Sequence, residues 1–132
     1  MVDAMAMHVS GPGLAAAQVA YSGDCDDWLS ALRLYLTANR DFVVDFVHNE
    51  FEGLRTTIPE ATYLAWLDCT SLVKSGKIAG TLHDFFLKQA KVALNEGQEF
   101  GTGGEGFVRL NFGCPRSTLV EALGRMKNAL AL

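Results

Sequence analysis

The segment that most constrains the fold of this chain runs from Glu99 to Arg116 and reads EFGTGGEGFVRLNFGCPR. Four of the chain's thirteen glycines fall in one loop, and the six residues Phe107–Phe112 after it alternate between two faces. Alternation with a period of two predicts a β-strand. Glycine adopts backbone angles closed to other residues, so the loop can turn the chain into that strand at little steric cost. The strand is expected to stop at Gly113, and Pro115 suits the first turn of a following helix.

Arg109 is the single charged residue inside this predicted strand. An unpaired buried guanidinium is costly, so Arg109 needs an anionic partner, either a carboxylate of the protein or a ligand. A planar guanidinium held on a strand can bind a carboxylate through two parallel hydrogen bonds, which a lysine cannot reproduce. From spacing alone, a structural salt bridge ranks ahead of ligand binding.

Apolar spacing and turn residues predict the remaining elements. They are a short helix over Leu14–Tyr21, a long helix over Asp26–Phe51, strands over Leu54–Ile58 and Thr62–Asp68, a loop over 70–80, a helix from Thr81 with Asp84 in a capping box, a short strand over Val92–Leu94, and a final helix over Pro115–Leu130. The stripe expected to be buried in the long helix comprises Leu29, Leu32, Leu36, Val43 and Phe46. This order predicts an α/β (α+β) two-layer sandwich, a mostly antiparallel sheet with helices on one face. The other face has no obvious cover.

Composition excludes several classes of protein. A chain of 132 residues is expected to form one domain, here residues 14–132 after a loosely structured segment 1–13. Its net charge is −4 and it has no long basic run, so nucleic acid is not expected as a partner. No long apolar run predicts a membrane span, and Met1–Ser10 does not look like a signal peptide. Three widely spaced cysteines favour reduced thiols and a cytoplasmic location.

Residues typical of catalysis are sparse. His8, His48 and His83 lack metal-binding spacing, so no metal site is predicted. The loop GTGGEG precedes a strand rather than a helix, and is interpreted as a hairpin connection rather than a phosphate loop. Cys114 lies beside a predicted helix start that could lower its pKa, although a structural thiol is favoured. Asp68 is interpreted as a strand-end or pairing residue.

Three separated segments carry a resemblance to a known family. They are Pro59–Asp68 (PEATYLAWLD), Ala90–Leu94 followed by Gly97 and Phe100-Gly101, and Gly106–Arg116 (GFVRLNFGCPR); Ala20-Tyr21, Trp28-Leu29, Tyr35-Leu36 and Asn39 also match. Over roughly residues 14–130 the chain resembles the C-terminal small domain of fold-type I pyridoxal-phosphate enzymes. The branch it resembles most is the aminotransferase-like C–S lyases, the cystathionine β-lyase group.

The resemblance implies a role for two residues. In that family the arginine of the RLN strand grips the α-carboxylate of the amino-acid substrate, so Arg109 inherits this role. Asn111, two residues on and on the same strand face, is grouped with Arg109 as a residue of the substrate-carboxylate site and is implied to help fix the local geometry.

The resemblance also implies what this chain lacks. Family enzymes carry a large domain that supplies the Schiff-base lysine, the aspartate on the pyridine nitrogen and the phosphate-binding residues. Here the first lysine is Lys74, and no serine-rich lysine motif occurs. We therefore expect no catalytic or cofactor-binding residue in this chain, no pyridoxal phosphate bound by it, and no activity without a large domain.

Three functional interpretations stay open at this point. The first is the small domain of a pyridoxal-phosphate lyase or aminotransferase, which meets its amino-acid substrate only with a large domain present. The second is a stand-alone module that binds small carboxylates or forms a homo-oligomer through the uncovered sheet face. The third, ranked last, is an enzyme assembled with a separately encoded large domain.

Overall fold

The computed structural model describes residues 10–131, so most of the predicted loose segment 1–13 lies outside the described residues. The helices are α1 (Gly11–Ala20), α2 (Asp26–Glu50), α3 (Thr70–Lys74), α4 (Leu82–Phe85, continued by a π-helical turn Phe86–Ala90) and α5 (Arg116–Ala131), and the strands are β1 (Arg55–Thr56), β2 (Leu64–Asp68), β3 (Asn95–Glu96) and β4 (Phe107–Asn111). The predicted order of helices and strands is confirmed, with α3 added. The chain divides at Tyr35/Leu36 into two units.

The first unit contains α1 and the beginning of α2. Helix α1 begins at Gly11 rather than Leu14, because the Ser10 hydroxyl accepts a hydrogen bond from the Gly13 N–H at 3.1 Å and Pro12 suits the first turn. No residue of α1 is buried. The predicted burial of Leu29 is wrong, since its side chain is 46% exposed. Burial in α2 begins only at Asn39 and continues through Val47.

The second unit is built on a four-stranded antiparallel sheet with strand order β1-β2-β4-β3. One face of its two central strands is buried, and the residues that form it are Ala65, Leu67, Val108 and Leu110. They share one core with apolar residues of α2 and α5, among them Val43, Val47, Leu119, Leu123 and Met126. The α/β sandwich with an antiparallel sheet is therefore confirmed, and this core supplies most of its stability.

Two further predictions, on β3 and on the loop 70–80, are wrong. Strand β3 lies at Asn95–Glu96, not at 92–94, because the π-helical turn and a left-handed Lys91 (φ 57°) keep the chain out of the sheet until after Leu94. The predicted loop 70–80 contains α3, which starts where the Asp68 carboxylate accepts from the Thr70 N–H at 2.9 Å. That bond gives Asp68 the strand-end role expected of it.

The start of α4 follows the predicted capping pattern. The Thr81 hydroxyl accepts a hydrogen bond from the Asp84 N–H at 3.1 Å. The Glu96 carboxylate also accepts from the His83 N–H at 2.7 Å, which ties the helix start to β3. A carboxylate suits this position because the first turn of a helix carries unpaired N–H groups.

The glycine loop is held by a close backbone crossing between Gly97 and Gly104. A Cβ built on either residue would overlap the carbonyl of the other, so only glycine fits at both positions. Both residues are buried. The loop therefore joins β3 and β4 as the hairpin connection that the sequence indicated, and the Gly97–Gly104 crossing holds it close to the end of β3.

Candidate functional site

The candidate site lies on the sheet face opposite the core. Trp66 on β2 and Asn95 on β3 are both paired with Arg109 on β4 in the sheet register, so the three side chains project from the same face. Arg109 and Trp66 are partly buried, whereas Asn95 is exposed. Part of this face is open to solvent within the described chain, as the sequence predicted.

Arg109 has no anionic partner among residues 10–131. None of the ion pairs formed by those residues includes it. Its Nη2 donates a hydrogen bond to the Asn95 side-chain oxygen at 3.1 Å, and its buried Nε has no hydrogen-bond partner. The structural salt bridge that spacing alone favoured is therefore absent from the described residues, and the guanidinium keeps its full charge.

An aromatic cluster supports the guanidinium. The Phe100 ring lies against one face of it, with 4.3 Å between the ring centroid and Cζ. Trp66 meets Phe100 edge to face at 5.7 Å and stacks on Phe107 at 5.6 Å. A cation over an aromatic face is stabilised by the ring quadrupole, so the cluster holds Arg109 in place without neutralising it.

Asn111 lies on the same strand face as Arg109, but its side chain turns to the local backbone. Its oxygen accepts a hydrogen bond from the Gly113 N–H at 2.8 Å. Gly113 in turn lies against the Tyr63 ring, where a Cβ would come within 3.2 Å of the ring. The structure thus places Asn111 as a support for the turn after β4, and it shows no hydrogen bond from Asn111 to Arg109.

A buried polar cluster fixes the same turn from the core side. The Asn39 amide donates to the carbonyls of Phe112 at 3.0 Å and Cys114 at 2.9 Å. The Asn39 oxygen accepts from Arg116 Nε at 2.9 Å, and the Arg116 guanidinium lies over the Phe42 ring at 4.5 Å. Since buried polar groups are costly unless they are satisfied, this cluster gives the end of β4 one defined position.

The other candidate reactive groups have structural surroundings. Burial, reinforced by the charges of Asp68 and Glu96, raises the pKa of the Cys69 thiol to about 12. Burial also raises the pKa of Cys114, which opposes the lowering by a helix start and agrees with a structural thiol. The His83 ring contacts the Leu94 carbonyl at 2.6 Å. Residues 10–131 contain no group of three or more His, Cys, Asp or Glu side chains arranged to hold a metal ion.

Two contributors to the site, Asn95 and Phe100, were missed in the sequence. Asn95 does not stand out in the sequence, because the predicted strand Val92–Leu94 ends before it. Phe100 was noted only as part of a family segment. The β3–β4 register brings both to Arg109, and a correctly aligned hairpin would have shown the Asn95–Arg109 pair.

Comparisons with known proteins show which family this arrangement belongs to. No family model matches the chain. It is 42% identical over 103 residues to the protein MalY of Escherichia coli and 38% identical over 116 residues to the cystathionine β-lyase PatB of Bacillus subtilis, which cover 78% and 88% of this chain. A solved pyridoxal-phosphate-bound C–S lyase from Staphylococcus hominis superimposes with a TM-score of 0.77, at 34% identity and over 82% of this chain.

These relatives define the class as fold-type I pyridoxal-phosphate enzymes of the aminotransferase-like type. Within that class, the chain is similar to C–S lyases, among them a cystathionine β-lyase. It spans 26% of MalY, 29% of PatB and 28% of the S. hominis chain, so it corresponds to a fragment of such an enzyme.

No helix within residues 10–131 is both long and apolar enough to cross a membrane.

Proposed function

We propose that this chain is the C-terminal, carboxylate-binding domain of a pyridoxal-phosphate-dependent C–S lyase or related aminotransferase, comprising residues 14–132. Arg109 is its substrate anchor and holds the α-carboxylate of an amino acid. Asn111 keeps the end of β4 in place. The substrate is bound productively only when a large domain faces the sheet.

One observation carries the proposal: a partly buried arginine faces the open side of the sheet with no carboxylate partner in the described chain. A protein that used this arginine only for its fold would be expected to pair it, since unpaired buried charge is costly. A carboxylate ligand would supply the missing charge through the fork geometry that arginine offers.

The neighbourhood of Arg109 does not fit the cofactor itself. Pyridoxal phosphate supplies an electrophilic aldehyde and an electron-withdrawing ring, and it is held through a lysine amine. The groups that contact the guanidinium are an amide and a phenyl ring, and its strand neighbour is an indole. We therefore propose that the cofactor, its lysine and the catalytic groups belong to a large domain, and that this chain is inactive alone.

The test is a ligand titration of the whole chain, monitored by ¹H–¹⁵N NMR. The ligand is N-acetyl-L-alanine, and the matched control is N-acetyl-L-alaninamide, which has nearly the same size but no negative charge. The acid should shift the signals of Arg109, Asn95 and Phe100 in a saturable way, whereas the amide should not. In Arg109→Met the response should disappear. Equal responses to acid and amide would overturn the proposal.

The second candidate is a self-associating module, and the aromatic cluster on the open face favours it. Phe100 is 49% exposed, and Trp66 and Phe107 are only partly buried, so a second copy could cover them. Two copies meeting on this face would bring like charges together at Arg109, which opposes association. Light scattering over a concentration series decides: a dimer that Trp66→Ala disrupts would favour the module, and a monomer throughout would favour the enzyme domain.

A further inference from the structure

Two approaches to the guanidinium of Arg109 are closed. Its Nε is buried and unpartnered, and Phe100 covers one face of the group. An incoming carboxylate cannot reach Nε without displacing protein, so it has to approach the two terminal nitrogens end on. That approach requires Nη1 and Nη2 to point together toward the open side of the sheet.

We propose that Asn95 is the positioning residue that sets this orientation for carboxylate binding. The inference rests on the proposed function of Arg109. Asn95 faces Arg109 across the β3–β4 pair, and its side-chain oxygen accepts a hydrogen bond from Arg109 Nη2 at 3.1 Å. Nη2 carries two protons, so one stays available beside Nη1 for the ligand. Asn95 and Phe100 together fix the plane of the group.

The neutrality of Asn95 is part of its role. An amide oxygen holds the guanidinium without cancelling its charge, whereas an aspartate of the same shape would form an ion pair and compete with the ligand.

The strand that carries Asn95 is itself held in place. Glu96, the next residue, binds the start of α4 through the His83 N–H, so β3 is anchored on its other side.

Two substitutions test the positioning role in the N-acetyl-L-alanine titration. Asn95→Ala removes the acceptor and should weaken binding roughly three- to tenfold, the equivalent of one hydrogen bond. Asn95→Asp keeps the shape and should weaken it further, because the ligand meets a neutralised arginine. Asn128→Ala, which removes an exposed asparagine of α5, is the matched control and should bind like the wild type.

A second measurement tests the contact without any ligand. In Asn95→Asp the new carboxylate should pair with Arg109. This ion pair lowers the folded-state pKa of the carboxylate below its unfolded value of about 3.9. The stabilisation is then present above that pH and lost as the pH falls through the folded-state pKa. In Asn95→Asp/Arg109→Met this pH dependence should vanish. The Arg109 Nε–H signal should move between wild type and Asn95→Ala.

The possible outcomes distinguish a failure of the positioning role of Asn95 from a failure of carboxylate binding by Arg109. If the wild type binds the acid and Asn95→Ala binds equally well, Asn95 has at most a structural role and the inference is overturned. Binding by Asn95→Asp at wild-type affinity would overturn it as well. If the wild type shows no acid-specific response, the proposed function fails, and a surviving pH signature in Asn95→Asp would mark the Asn95–Arg109 contact as structural only.

Discussion

Asn39 and Phe112 lie 73 residues apart in the sequence, yet the Asn39 amide donates a hydrogen bond to the Phe112 carbonyl at 3.0 Å inside the core. The same amide also donates a hydrogen bond to the Cys114 carbonyl, and the Asn39 side-chain oxygen accepts one from Arg116 Nε. One side chain on α2 thus fixes the end of the strand that carries Arg109. The geometry of the open sheet face depends on a contact from the opposite layer.

Replacement of Asn39 should therefore be costly. Asn39→Ala removes the donor to the Phe112 and Cys114 carbonyls and the acceptor of the Arg116 Nε–H hydrogen bond. Loss of a hydrogen-bond partner inside a protein costs about 1–3 kcal/mol per buried group. We expect a loss of roughly 2–4 kcal/mol in the free energy of unfolding, measured by urea denaturation. Asn49→Ala, at an exposed position of the same helix, is the control and should change stability by less than about 0.5 kcal/mol. Equal effects of the two substitutions would refute the role of the cluster.

Glycine substitutions should give opposite signs at two positions. Gly104→Ala places a methyl group against the Gly97 backbone and should cost more than about 2 kcal/mol, because backbone cannot move aside as a flexible side chain can. Gly124 lies in α5, and a methyl group there meets nothing within 4 Å. Gly124→Ala should therefore stabilise the chain by about 0.5–1 kcal/mol through helix propensity. Thermal unfolding of both variants beside the wild type is sufficient.

The buried thiol of Cys69 should make stability fall at alkaline pH. Its folded-state pKa is about 12 against an ordinary value of 9.0, so between these values the folded chain keeps a proton that the unfolded chain has released. Stability consequently declines as the pH rises above about 9. The free energy of unfolding of Cys69→Ala, measured from pH 8 to pH 11, should fall less steeply with pH than that of the wild type. The difference between the two slopes should correspond to the release of up to one proton on unfolding. An unchanged slope would contradict the assigned pKa.

An absorbance scan tests the absence of a cofactor lysine. Purified protein mixed with pyridoxal phosphate and scanned from about 300 to 500 nm should show no aldimine band beyond what exposed lysines give, since aldimine formation needs a positioned amine. Borohydride should then trap no single lysine, as judged by peptide mapping. A stable band with label on one lysine would show that the chain has a cofactor site of its own.

The sequence was sufficient for the layers and for the key charge. The alternation of Phe107–Phe112 predicted β4, and Arg109 stood out because it is the only charge in that strand. Period and polarity are local properties, so they can be detected without knowledge of the fold.

The surroundings of the charge depend on contacts between distant segments. The π-helical turn and the left-handed Lys91 delay β3, and without that delay Asn95 cannot be placed opposite Arg109. Apolar spacing in α2 likewise marked Leu29 for burial, yet in the first unit it is 46% exposed. Spacing shows which residues share a face, but it does not show what that face packs against.

The most direct test of the central claim, that Arg109 serves a ligand rather than the fold, is the free energy of unfolding of Arg109→Met at neutral pH without added carboxylates. Methionine keeps the apolar contact with the aromatic cluster and removes the charge. We expect a change of less than about 1 kcal/mol, because no carboxylate of the described chain pairs with Arg109. A loss of about 3–5 kcal/mol, typical of a broken buried ion pair, would show that Arg109 is a structural ion-pair partner and not a ligand-binding residue.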